Sequence, residues 1–395
     1  MNQPLPRAVW VFGLVSFFND FASDMVVPLI PILLAGVLSA GPLELGLIEG
    51  TAEAVASFLK LWAGRKTDKI GGRRKAFAVA GYALSNAARP LLALAGHWAT
   101  VLVLRSVDRV GKGLRSAPRD AMVADAVGMD MRGAAFGVQR AFDNAGAVLG
   151  ALAAAAVLFW LTDNVALVVA LSAVPGFIAV LVFAFGVREP TTIPRETPLP
   201  ALRWDVLGGP MQRILATLCV FTFARVSDTF IVLYGYQLGL GSIELLLMWA
   251  ALNLMKACSS FLGGIWSDRI ARHHLLVLSW ATWAFGFLLL CKSATGPELW
   301  LATLYVGVCA GLGEGVERAL IRDHSRAGEA GTAYGWYYCL TGFAAIPAGL
   351  AFGAIWHWQS AAMAFSFAGA VAALCALSLV VPGQPGPSVP EQVLK

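Results

Sequence analysis

Long apolar runs recur along this chain, each separated from the next by a short polar stretch or by Gly and Pro. The pattern predicts helices over 8–37, 44–64, 76–95, 98–117, 133–160, 164–187, 211–239, 244–265, 275–293, 298–317, 331–357 and 359–382. Each supplies at least the ~20 residues needed to cross the hydrocarbon core of a bilayer. Between the sixth and seventh runs lies 188–210, REPTTIPRETPLPALRWDVLGGP, which is Pro-rich, charged and short. The expected organisation is an N-terminal six-helix bundle over 1–187, a cytoplasmic linker over 188–210, a C-terminal six-helix bundle over 211–382 and a cytoplasmic tail over 383–395. The fold class that follows is an all-α membrane protein with twelve transmembrane helices in two pseudo-symmetric six-helix bundles.

Composition agrees with that pattern. Hydrophobic residues make up 58% of the chain and charged residues only 13%, where a soluble domain carries about 25% charge. Charge on that scale is missing only if much of the surface faces lipid. The start, MNQPLPR, leads into no h-region with an Ala-x-Ala cleavage site, so the first run reads as a retained helix. All six cysteines fall inside apolar stretches without a Cys-x-x-Cys pair, and the five histidines show no metal-ligand spacing. Packed free thiols are expected, and no metal or cofactor. The connections divide by charge: 65–75, the linker arginines Arg188, Arg195 and Arg203, and 267–274 are basic, whereas 95–98, 238–242 and 357–360 carry almost no Lys or Arg. The positive-inside rule puts the basic set and both termini in the cytoplasm, on a bacterial inner membrane.

An internal repeat is visible. FFNDFASD at 17–24 aligns with FTFARVSD at 221–228, Gly64-x-x-x-Asp68-Lys69 with Gly264-x-x-x-Asp268-Arg269, and RGAAFG at 132–137 with AGTAYG at 330–335. The three matches keep their order at nearly constant offset. A duplicated membrane unit places a binding site between its halves, near the midplane.

The segment GRKTDKIGGRRK at 64–75, after the second run, resembles the cytoplasmic loop motif of the major facilitator superfamily. Gly64, Asp68, Lys69, Gly71, Arg73 and Arg74 match, and Gly72 stands where that family usually has another basic residue. The second copy keeps Gly264, Asp268, Arg269 and Arg272 but has Ala271 in place of glycine. Glycine lets two helices approach closely, and an aspartate beside a helix terminus can accept N–H groups or hold an arginine across a seam. Gly64, Asp68, Lys69, Gly71, Arg73, Arg74, Gly264, Asp268 and Arg269 are thus expected to form a conformational latch. A plainer reading, topogenic charge and a tight turn, explains Arg73, Arg74 and Lys75 but not the doubly spaced Gly and Asp. Arg105 with Gly111 and Gly113 resembles the fourth-helix arginine motif of proton-coupled members, with Asp108 at the usual polar position. Gly137, Gly146 and Gly150 match the spacing of the antiporter glycine motif, although Ala151 replaces its Pro and Ala154 and Ala155 its closing glycines.

Ionisable residues inside the runs are the other strong signal. They are Asp20, Asp24, Glu49, Glu53, Arg89, Arg105, Asp108, Arg109, Lys112, Asp143, Arg225, Asp228, Lys256 and Glu314. Each costs ~2.5–3.5 kcal/mol at a lipid-exposed helix centre, so most must pair or line a wet cavity. Asp20 and Asp24 share a helix face, as do Glu49 and Glu53, while Arg105, Asp108, Arg109 and Lys112 form one stripe. Depth counting puts Asp20 and Asp24 level with Arg105, Asp108 and Arg109 at mid-bilayer, and Glu49, Glu53 and Arg89 at a shallower, outer level where static pairing competes with function. Proton coupling or substrate contact is expected from Asp20, Asp24, Glu53, Arg105, Asp108, Arg109, Asp143 and Asp228.

The function expected is a monomeric, proton-coupled secondary transporter for a small organic solute, working by alternating access and leaning towards efflux. Its partners are that solute, protons and the lipid bilayer, with no nucleic acid. Arg109-Val110-Gly111-Lys112-Gly113 lacks the spacing of a Walker phosphate loop, which argues against ATP drive. Two alternatives stand beside this: an uptake permease for an anionic solute or metal chelate, which the basic fourth helix would suit, and a non-transporting receptor or lipid-handling protein. A membrane enzyme is disfavoured, because no nucleophile–base grouping is present.

Overall fold

A computed structural model describes residues 5–70, 74–128, 131–189, 202–267, 272–313, 316–325 and 330–380. Every regular element among the described residues is helical. The first six spans are α1 (Arg7–Asp24) with α2 (Leu29–Gly36), α3 (Pro42–Ile70), α4 (Arg74–Leu91) with a 3₁₀ turn at Leu92–Leu94, α5 (Trp98–Asp125), α6 (Arg132–Trp160), and α7 (Val165–Leu171) with α8 (Ala173–Gly186). The second six are α9 (Gly209–Phe221) with α10 (Thr229–Gln237), α11 (Ser242–Ser267), α12 (Arg272–Lys292), α13 (Gly296–Gly313) with α14 (Val316–His324), α15 (Ala330–Trp358) and α16 (Ala361–Val380). Seven of these helical stretches are long and apolar enough to cross a membrane by composition alone. The others include α3 and α5, which carry six of the fourteen ionisable residues singled out above.

The first span of each half is broken at the same place in the repeat. α1 stops at Asp24 because Pro28 brings no N–H and its ring would press on the carbonyl of residue 24. α9 stops at Phe221 without any proline, and α10 resumes at Thr229. In both, the repeat motif lies at the interruption, so Ser23–Asp24 and Ser227–Asp228 sit at mid-span helix ends. Backbone conformation repeats as well: Ser39 has φ 50° and Gly239 has φ 87°, each in the turn that joins the first two spans of its half. Pro347 lies inside α15, which continues through it.

The apolar core shows how the halves meet. At the end of the molecule away from the linker, one cluster unites both halves: Met25–Leu34, Leu45, Ile48 and Ala151–Leu158 of the first with Phe230–Leu233, Leu245–Leu252, Phe352 and Trp356 of the second. At the linker end there are two separate clusters. One belongs to the first half, around Val9, Phe12, Tyr82, Met122 and Phe183. The other belongs to the second, around Leu215, Leu218, Trp280, Leu320 and Leu379. The halves therefore share one apolar core at the far end and have separate cores at the linker end, where α3 and α15 stay in contact through Leu61 and Gly335 and through Lys60 and Tyr338.

The far-end seal is a backbone contact between α3 and α15. A Cβ built on Gly46 would lie 2.1 Å from the carbonyl oxygen of Gly349, and one on Gly349 would lie 2.3 Å from that of Gly46. Only hydrogen fits at either position. Far-end connections are short and tied to their helices: His97 caps α5, Asn164 caps α7, and Glu298 accepts the N–H groups of Ala294 and Thr295.

The prediction is that Gly349→Val prises α3 from α15. With the native cysteines replaced, labelling of Val27→Cys by an impermeant maleimide from the far side should rise about tenfold, the response to a shift of ~1.4 kcal/mol in the equilibrium. Unchanged labelling would show that this seam does not seal the path.

Candidate functional site

Between the halves lies a cavity of about 640 Å³, within the usual size range for small-molecule sites. Its floor, towards the far end, includes Val27, Phe230, Gly349 and Phe352. The first half contributes a charged wall: Asp20, Asp24, Glu49, Glu53, Arg105, Arg109, Lys112, Arg140 and Asp143. The second half contributes aromatic rings, among them Phe221, Trp280, Trp283, Tyr337 and Tyr338, with Arg225, Asp228, Lys256 and Glu317 between them.

Behind the charged wall, three arginines converge on one aspartate. Asp108 Oδ1 accepts Arg89 Nε at 2.9 Å, Oδ2 accepts Arg105 Nη1 at 3.3 Å, and Arg109 Nε stands 3.6 Å away. The side chains of Arg89 and Asp108 are only 4% and 2% exposed, so water cannot replace any of these bonds. Arg89 also donates to the carbonyl oxygen of Asn19 at 3.1 Å and to Asn86 Oδ1 at 2.9 Å, and Ser85 Oγ donates to the Asp108 carbonyl at 2.7 Å. The crossing of α4 and α5 makes this possible: a Cβ on Gly111 would lie 2.5 Å from the Gly81 carbonyl oxygen. Arg105 continues the chain outward, its Nε 3.2 Å from Glu49 Oε1.

Two hydrogen bonds then join the halves. Trp249 Nε1 on α11 donates to Asp24 Oδ1 at 2.8 Å, and Ser227 Oγ donates to Glu49 Oε2 at 3.3 Å. Asp24 corresponds to Asp228, the neighbour of Ser227, and Glu49 corresponds to Trp249 at the 200-residue offset of Gly64 and Gly264. The two bonds are thus near-equivalents under the internal repeat. In the second half Lys256 pairs with Asp228, Arg225 with Glu317, and Tyr337 Oη donates to Glu317 Oε2 at 3.2 Å.

Asp20, Asp24, Glu53, Arg105, Arg109, Asp143 and Asp228 all lie on the cavity wall. Asp108 does not: it stands behind the wall, held by the arginines. Depth counting paired Asp20 and Asp24 with Arg105 and Arg109, but Arg105 reaches Glu49 and Asp108 instead. The two levels merge because an arginine stem spans about one helical turn, ~5.4 Å of rise. Gly146 and Gly150 pack α6 directly on α1, where a Cβ on either would lie 2.3 Å from the carbonyl oxygens of Phe17 and Phe21 respectively. In the loop motif, Arg74 pairs with Asp125 at 2.5 Å, and Gly64 lies on α3 against Ala117. Gly264 falls within α11. Gly71, Arg73, Asp268, Arg269 and Glu314, and the side chains of Asp68 and Lys69, lie outside the described residues. Trp249 and Glu317 were not among the expected site residues. Trp249 is detectable as the repeat counterpart of Glu49, whereas Glu317 carries no motif. Asp143 Oδ1 and Trp280 Nε1 are buried in this wall without a hydrogen-bond partner among the described residues. No group of three or more His, Cys, Asp or Glu among the described residues has the arrangement to hold a metal ion.

The family model for the Major Facilitator Superfamily matches residues 12–255 and 213–394. An uncharacterized MFS-type transporter of Methanocaldococcus jannaschii is 29% identical over 387 residues, covering 96% of each chain. Among solved structures, the nucleoside transporter NupG aligns with a TM-score of 0.79 at 12% identity, covering 95% of this chain and 100% of that one. The human organic anion transporter MFSD10 aligns with a TM-score of 0.68 at 18% identity, covering 96% and 100%. At such identities the likeness to the solved structures establishes the fold.

The arginine cluster predicts a sharp contrast in stability. Asp108→Ala leaves Arg89 and Arg105 buried without their shared acceptor and should cost roughly 3–5 kcal/mol. Glu53→Gln, at an exposed position on the cavity wall, should stay within about 0.5 kcal/mol. Unfolding of the purified protein in detergent reads the difference, and equal losses would remove Asp108 as the keystone of the first half.

Proposed function

The chain belongs to the Major Facilitator Superfamily and is a multi-pass transmembrane transporter rather than an enzyme; from that premise we propose that it is a monomeric, proton-coupled secondary transporter of a small organic solute. It works by alternating access, with export as its direction. The observation that carries this reading is the pair of hydrogen bonds across the cavity floor, Trp249 to Asp24 and Ser227 to Glu49. Each ends on a carboxylate that lines the solute cavity. A carboxylate in such a place holds either a proton or a charge, and its partners differ in the two states. Asp24 faces Asp20 on its own helix, Trp249 and Lys256 on α11 and, more distantly, Arg89 on α4. Gain or loss of one proton there changes both the bond that holds the floor shut and the charge a solute meets.

Asp20, Asp24, Glu53, Arg109, Asp143 and Asp228 are the groups assigned to proton or solute contact. Arg105 and Asp108 position them through Glu49 and Arg89. Basic loops support a cytoplasmic linker end, with the separately cored end facing inward. The glycine spacing in α6 supports export. Close packing of Gly146 and Gly150 on α1 serves that path equally well, because smooth contact lets α1 rock. Gly64, Asp68, Lys69, Gly71, Arg73 and Arg74, with Gly264, Asp268 and Arg269, act as the latch at the cytoplasmic end.

Two outcomes are expected. For a solute chosen by thermal-shift screening, flux in proteoliposomes should accelerate with an imposed pH gradient, and Asp24→Asn should flatten that dependence. Flux indifferent to the gradient in the unmodified protein overturns proton coupling. Asp68→Asn should leave solute affinity within about twofold while slowing turnover about tenfold, a barrier change of ~1.4 kcal/mol. Normal turnover would abolish the latch.

A further inference from the structure

The sign of the charge left over on the cavity wall identifies the kind of solute. The sequence is basic here, with Arg105, Arg109 and Lys112 on one helix stripe, and on that stripe alone an anion would be expected. The structure changes the balance. Arg105 is taken by Glu49 and Asp108, Arg225 by Glu317, and Lys256 by Asp228. Arg109 shares Asp108 with two other arginines, and Arg140 has an interaction of its own. On the acidic side, Asp20, Asp24, Glu53 and Asp143 line the cavity, and none has an ion-pair partner among the described residues. Seven carboxylates and six Lys or Arg line the cavity, and Arg89 and Asp108 behind it cancel, so the excess is one negative charge, held among Asp20, Asp24 and Asp143 on α1 and α6.

Asp143 adds an independent observation. Its Oδ1 is buried in the cavity wall and accepts no hydrogen bond among the described residues. A buried acceptor without a donor is costly and uncommon in folded proteins, and Asp143, which Ser16, Arg119 and Arg140 also face, is left with one oxygen open to an N–H or O–H donor. The facing wall completes the chemistry. Phe221, Phe223, Trp280, Trp283, Tyr337 and Tyr338 line it, and two of these rings already carry a cation: Arg225 over Phe221 at 5.5 Å and Lys60 over Tyr338 at 4.6 Å. Such ring faces attract positive charge through their quadrupole and cover apolar surface at the same time.

We propose that the cavity takes an aromatic organic cation with N–H donors, a protonated amine or amidine, whose charged head lies against Asp20 and Asp143 and whose ring lies on the aromatic wall. This rests on the cavity being the solute site, but it does not require proton coupling. The head replaces the donor that Asp143 lacks and neutralises charge that the arginines of α5 leave uncompensated. The ring needs no shaped slot, since several faces present the same chemistry.

The test is equilibrium dialysis of the purified full chain at fixed pH with 1-naphthylmethylammonium and 1-naphthylacetate, which share a ring system and differ in the sign of their charge. The ammonium compound should bind at least about tenfold more tightly, and Asp143→Asn should reduce its affinity about tenfold while leaving the acetate unchanged or improved. Asp20→Asn gives a second reading of the same prediction if Asp143→Asn folds poorly. Equal or tighter binding of the acetate overturns the proposal. So does an absence of ammonium binding, or ammonium affinity indifferent to both substitutions. No gradient is present, so failure of proton coupling leaves this result standing. Failure here in turn leaves gradient-driven flux of another solute intact.

Discussion

Asp108 is the group on which the first half depends. A single carboxylate at mid-span holds Arg89 and Arg105 by hydrogen bonds and stands beside Arg109, three cations that no lipid-facing helix would tolerate. Remove its charge and the α4–α5 crossing loses the reason for its polar content. Because Arg105 goes on to Glu49 and Glu49 to Ser227, the same network runs from the interior of the first half to the second. The consequence for the cavity is indirect: carboxylates of the same network offset the charge of Arg105, which lines the wall, and share that of Arg109.

The repeat gives the molecule a common geometry with different chemistry in each half. Both first spans break at the repeat motif, both turns that follow contain a residue with positive φ, and both halves send a polar bond across the floor. Yet Glu49 in one half is Trp249 in the other, and Asp20 is matched by Ala224. The first half has become the charged wall and the second the aromatic one. Rocking of two related bundles around a central site is the mechanical property such repeats supply, and the divergence of side chains equips the site without disturbing the motion.

Much of this was legible in the residues. Twelve apolar runs, the Pro-rich break after the sixth, and the repeated Gly-x-x-x-Asp spacing point to the architecture by themselves. Charges inside the runs marked the cavity, because the cost of burying them leaves few other places. What the runs did not yield was partnership. Rise per residue put Glu49 and Arg105 on different levels, yet the long arginine stem closes that gap. Asp108 looked like a coupling residue by its position in a motif, and its place behind the wall depends on Gly81 and Gly111 bringing two backbones together. Trp249 was hidden because an indole in an apolar run is ordinarily packing, and only alignment with Glu49 gives it a role. The break between α9 and α10 has no proline to announce it.

The division of the core has a meaning for how the chain is made. Translation delivers the first half before the second, and the cluster around Val9, Tyr82, Met122 and Phe183 needs nothing from the later spans. That part of the bundle can settle while the ribosome is still at work. The surfaces of Met25–Leu34, Ala151–Leu158 and the glycine face of α3 must wait for α10, α11 and α15. A newborn first half is therefore an incomplete object in the bilayer, with bare backbone at Gly46 that lipid tails cannot hydrogen-bond or fill well. The seam between the halves closes only once α15 has been made, and chains stalled before it would present that strip to whatever surveys unfinished membrane proteins.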